Sequence, residues 1–145
     1  MTPRYALARR IDNIEPFHVM EFVKRAAFAL MASLAAHDRS ASDELFLTFL
    51  PLIEREAVDD RNFVKKAVNW ALRQIGKRNP TLHDAARETA VRLARSKNAA
   101  CRWVGKDALR EFAKPAVRVR LGKRPRGAGE PCSRGSGIKA FAGLD

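Results

Sequence analysis

Cys101 and Cys132 are the only cysteines in the 145-residue chain, too few for a disulfide framework and not at the paired spacing of a zinc site. Histidine is as sparse. His18, His37 and His83 stand far apart without partners at metal-ligand spacing, so they read as surface or capping residues, and no metal or cofactor is expected. No apolar run approaches the roughly 20 residues that a membrane-crossing helix needs, and the N-terminus lacks the apolar core of a signal peptide. No membrane partner is therefore expected, and the expected location is the cytoplasm. Strict alternation of apolar and polar residues is missing, and glycine and proline are scarce before residue 116, which removes the strand and hairpin signals. The fold class is read as all-α, in one domain.

Negative charge is also short. Asp and Glu number 16 against 28 Lys and Arg, giving a net charge of +12 and a pI near 10.7. Such an excess points to a polyanionic partner, nucleic acid first and an anionic membrane surface second, or to a generically basic soluble protein. From Lys114 onward there are eight basic and two acidic residues, so half of the excess sits at the C-terminal end, together with six of the eight glycines. Residues 116–145 are read as a disordered basic tail, because so little apolar surface does not offset the entropy of ordering. Such a tail adds nonspecific phosphate contacts or has no role.

What is present is a repeat. Phe22-Val23-Lys24-Arg25-Ala26-Ala27 recurs as Phe63-Val64-Lys65-Lys66-Ala67-Val68, and Ala71-Leu72-Arg73 recurs more faintly as Ala108-Leu109-Arg110, with Arg102 opposite Lys65. A period of roughly 40 residues with helical apolar spacing is the signature of a HEAT-like α-solenoid of about five helices, here over 15–115, after an irregular segment 1–14. The first helix begins near Pro16, with Met20, Val23, Ala27, Leu30, Met31 and Leu34 on its apolar face. Ser42 caps the second, which carries Leu45, Phe46, Phe49, Leu52 and Ile53 on its apolar face and Pro51 as a kink. Asp59 or Asp60 caps the third, over about 61–77. Asn79-Pro80 opens the fourth, with Leu82, Ala85, Ala86, Ala90 and Leu93 buried, and Asn98 or a neighbour opens the fifth.

On the third helix Val64, Val68, Ala71, Leu72 and Ile75 form the core face. The opposite side carries Lys66, Trp70, Arg73 and Lys77 at i, i+4, i+7 and i+11, three cations around one indole. Cations meet phosphates and an aromatic face stacks on a base or sugar, so the stripe suits nucleic acid. The alternative is that Trp70 packs against the next repeat or the tail while the lysines are merely solvated. The fifth helix places Trp103, Asp107, Arg110 and Lys114 at the equivalent positions. Successive repeats present equivalent faces on one surface, so Lys66, Arg73, Lys77, Arg102, Lys106 and Arg110, with Arg25 one repeat earlier, are expected to track a duplex backbone.

The string Phe63-Val64-Lys65-Lys66-Ala67-Val68-Asn69-Trp70-Ala71-Leu72-Arg73, with Lys77 and Asn79-Pro80, resembles the DNA alkylation repair family of HEAT-like alkylpurine DNA glycosylases. So does Phe22 through Leu30, and the likeness extends roughly from Glu21 to Phe112. The resemblance implies that double-stranded alkylated DNA lies on a basic concave face. It further implies that the glycosidic bond of N3- or N7-alkylated purines is hydrolysed without flipping the base into a pocket. Aromatic rings would contact the lesion's deoxyribose, an aspartate would position water and stabilise the developing oxocarbenium, and an arginine would hold the backbone. A leaving group that already carries positive charge needs little acid catalysis, so a stabilising anion supplies much of what the step requires.

By this resemblance Trp70 matches an active-site tryptophan and Arg25 the backbone-contacting arginine. The family's other tryptophan and its aspartate belong to an earlier repeat. Residues 1–20 hold no tryptophan, and their one aspartate, Asp12, lacks the family's surrounding motif, so the catalytic carboxylate is either Asp12 or a residue that the pattern does not identify. Asp107 is a further carboxylate on the basic face, read as an ion-pair partner of Arg110 or Arg102. The chain is thus expected to match the C-terminal part of such an enzyme and to expose an uncapped apolar helix face to solvent or to a second copy. The alternatives are a DNA-binding module without catalysis and a helical-repeat module for acidic protein partners.

Overall fold

The computed structural model describes residues 16–123, with side chains from residue 20 onward. Six helices account for all regular structure among them: α1 Pro16–His37, α2 Asp43–Glu56, α3 Asn62–Gly76, α4 Pro80–Ala94, α5 Ala99–Phe112 and α6 Pro115–Gly122. Several boundaries follow from capping chemistry. The Asn79 side chain accepts from the Leu82 N–H at 2.8 Å, with Pro80 in the first turn, and the Asn98 side chain accepts from the N–H groups of Ala100 and Cys101 at 2.8 and 3.1 Å. Ser42 occupies the cap of α2 in extended backbone without a side-chain bond. The N-cap of α3 is Arg61, not an aspartate: Asp59 accepts from the Arg61 N–H at 3.1 Å and binds its guanidinium at 2.9 and 2.6 Å.

Helices one repeat apart stack side by side. α1 packs on α3 and α3 on α5 in one layer, α2 packs on α4 in the other, and α4 lies against α3 and α5. This is a helical-repeat solenoid with the core between the layers, where Phe46, Ile53, Val64, Val68, Leu72, Ile75, Leu82 and Val104 are fully buried. The expected core faces of α3 and α4 hold, with Thr89 added on α4 by a bond from its hydroxyl to the Ala85 carbonyl at 3.2 Å.

Two further expectations are corrected. On α1 the buried residues are Phe28, Ala32 and Ala35, with Met31 and Leu34 at the core edge; Met20, Val23 and Leu30 are 54%, 57% and 61% exposed. α1 is apolar around most of its circumference, so the pattern does not choose between faces and α3 does. The second correction concerns the tail. Residues 116–122 lie in α6, started by Pro115, with Val117 and Leu121 buried; the rest of the expected tail lies outside the described residues, apart from Lys123.

Arg78, in the turn between α3 and α4, ties the far ends of two repeats together. Its guanidinium lies 4.4 Å from the Phe46 ring centroid and donates to the carbonyls of Ala35 at 3.2 Å and Ala41 at 2.8 Å. Arg78→Ala leaves both carbonyls without this charged donor and should cost about 2 kcal/mol, lowering the thermal midpoint by roughly 10 °C. Differential scanning calorimetry checks this; an unchanged midpoint would show that the turn holds without the clamp.

Candidate nucleic-acid interface

The solvent side of the α1, α3 and α5 layer holds the residues singled out from the pattern. α3 sends Phe63, Lys66, Ala67 and Trp70 toward α1, which answers with Arg25 and Ala29, and the six line an open groove of about 430 Å³. Ala29 and Ala67 leave the space, while Trp70, 43% exposed, borders it with its indole. The Arg25 guanidinium carbon lies 5.0 Å from the Phe63 ring centroid, a cation–π contact that restrains the long side chain. Lys66 is exposed and makes no ion pair among the described residues. Arg25, Lys66 and Trp70 are thus brought together as expected. Phe63 was not assigned a role by sequence reasoning, although it stands two helical turns before Trp70 and therefore on the same face.

One repeat on, Trp103 is 39% exposed, outside the groove, with the Lys65 ammonium 5.0 Å from its ring centroid. Lys106 is exposed beside it on α5. Arg102 turns away to donate to the Ser96 and Lys97 carbonyls beyond α4. The other expected cations meet acids. Arg73 contacts Asp107 at 3.7 Å and Glu111 at 3.1 Å, and Lys77 contacts Glu111 at 3.1 Å. Lys114 contacts Glu111 at 2.6 Å and Arg110 contacts Asp107 at 3.6 Å. Asp107 also accepts from the buried Asn69 amide at 2.7 Å. Asp12 lies outside the described residues.

Lys114, then Lys77 and Arg73, hold Glu111 well below the ordinary 4.5, at about 2, and the Arg61 guanidinium holds Asp59 at about 2 as well. A carboxyl depressed in the folded state stabilises the fold above its unfolded pKa and loses that contribution as the pH falls toward the folded value. Unfolding free energy should therefore decline as the pH is lowered from about 5 to 2, and Glu111→Gln should remove about 1–2 kcal/mol of that decline. Urea melts of both chains across that range check this; parallel curves would contradict it.

Among the described residues no three His, Cys, Asp or Glu side chains gather as a metal site, and no helix is long and apolar enough to cross a membrane. A family model described as DNA alkylation repair enzyme matches residues 19–112, from the first turn of α1 to the end of α5. No curated protein and no solved structure gives a significant match. That matched span covers well over half of the chain and contains the stacked layers and all six groove residues, so the chain belongs to the DNA alkylation repair enzyme family.

Proposed function

We propose that the protein, whose family gives it a DNA alkylation repair role, is of the alkylpurine glycosylase type: it binds duplex DNA along the α1, α3 and α5 layer and hydrolyses the N-glycosidic bond of N3- or N7-alkylated purines. The observation that carries the reading is the groove lined by an exposed indole together with cations from two repeats, Arg25 and Lys66. Phosphates flanking a lesion meet the cations, and the Trp70 ring meets the deoxyribose or base. An open groove suits a nucleotide left in the duplex. The positively charged purine leaves readily once an anion stabilises the sugar cation, and Asp12 remains the candidate for that anion.

A second reading, DNA binding without hydrolysis, is favoured by one observation: among the described residues no carboxylate lines the groove. Binding itself is tested by fluorescence anisotropy with a duplex carrying a stable N3-alkylpurine analogue. Arg25→Gln with Lys66→Gln should reduce the salt slope by about two phosphate contacts. An unchanged slope would remove the groove from the DNA-binding account. The exposed uncharged stripe of Met20, Val23 and Leu30 supports self-association as part of the proposal. Sedimentation velocity should then detect a dimer that Leu30→Glu dissociates; a monomer at tens of micromolar would overturn this.

A further inference from the structure

The solvent face of this layer is not uniformly basic. Around the Trp70 groove, among the described residues, Lys66 has no acidic partner and Arg25 lies over the Phe63 ring without an ion pair. Toward α5 two acids stand among four cations. Glu111 accepts from Arg73, Lys77 and Lys114 at once, and Asp107 lies between Arg73, Arg110 and Asn69. The Glu111 and Lys77 side chains are only 12% and 14% exposed, so neither is a loosely solvated surface charge.

A junction built only to join α3 to α5 would satisfy its polar atoms, since buried ion pairs stabilise little unless their hydrogen bonding is complete. This one does not. The buried Arg73 Nε and Asn69 Oδ1, a donor and an acceptor on neighbouring turns of α3, have no hydrogen-bond partner among the described residues. What the two acids do achieve is electrostatic: they hold Arg73 and Lys77 on the protein and present negative charge where the DNA backbone would otherwise extend from the groove along α5.

We propose that Asp107 and Glu111 are specificity-determining residues that withhold Arg73 and Lys77 from phosphate and confine productive backbone contact to the Arg25 and Lys66 end of the face. Undamaged duplex, which gains only from phosphate contacts, is then bound weakly, and the stacking contact at Trp70 contributes a larger share of the affinity for a damaged site. The inference rests on the DNA-binding reading above.

The test compares wild type with Asp107→Asn, Glu111→Gln and the double variant, in salt titrations against undamaged duplex and against the alkylpurine-analogue duplex. The double variant should bind undamaged duplex about tenfold more tightly or better near 100 mM salt. Its slope of log K against log salt should steepen by about two, and its preference for the damaged duplex should fall. Asp107→Asn, at a site 25% exposed and removing the weaker contacts, should move the slope by about one and provides the reading if Glu111→Gln does not fold. Unchanged slopes in folded variants, with Lys66→Gln still weakening binding, would overturn the screen alone. Absence of duplex binding by wild type would overturn the screen together with the DNA-binding reading.

Discussion

Replacing Gly105 by alanine is expected to lower stability by about 3 kcal/mol or more, enough to bring the thermal midpoint down by about 15 °C. Gly105 lies in the middle of α5, where a glycine ordinarily weakens a helix by about 1 kcal/mol relative to alanine. Here packing reverses that preference. A Cβ at this position would lie 2.9 Å from the Ala94 Cα and closer still to the Ala94 nitrogen and the Ala90 carbonyl oxygen. These are backbone atoms of α4 and have no rotamer into which to retreat, so the helices must separate along the contact that joins the last two repeats. Gly122 is the control, because a Cβ there meets nothing within 4 Å. Chemical denaturation should show Gly105→Ala far less stable than wild type and Gly122→Ala within about 0.5 kcal/mol of it. Equal stability for the two would mean that α4 and α5 are not in backbone contact.

Trp70→Ala is expected to leave stability nearly intact while removing about 5- to 150-fold of the affinity for a damaged duplex, the range set by about 1–3 kcal/mol for a base stacked on an aromatic ring. The separation of the two effects follows from position. Trp70 is 43% exposed and borders the groove, whereas Val68, Ala71 and Leu72 beside it in the sequence form the core. Trp103→Ala should have the smaller effect on lesion preference, because Trp103 stands outside the groove with Lys65 over its ring. Anisotropy titrations of both variants against damaged and undamaged duplex decide the point. Comparable losses on the two duplexes in Trp70→Ala would make the indole a general contact, not a lesion contact.

Helix α3 could be read from its residues because it is strongly amphipathic and is followed by Asn79-Pro80, whose amide cap and first-turn proline leave little freedom. Helix α1 could not: apolar residues surround most of it, and only the position of α3 decides that Phe28 is buried while Leu30 is exposed. Helix α6 is short and basic, and its two buried residues, Val117 and Leu121, are too few to stand out from a charged segment. Within the site, Arg25, Lys66 and Trp70 were legible because repeat spacing and helical period together fix their face. The engagement of Arg73 and Lys77 by Asp107 and Glu111 depends on the register between α3 and α5, which no single-helix pattern contains.

The most direct test of the account is single-turnover release of 7-methylguanine from methylated duplex DNA by the purified chain, with Trp70→Ala measured beside it. Wild type should release the base, and the release should fall at least about tenfold in the folded variant. No release by well-folded wild type, or equal release by both chains, would contradict a lesion site built on Trp70.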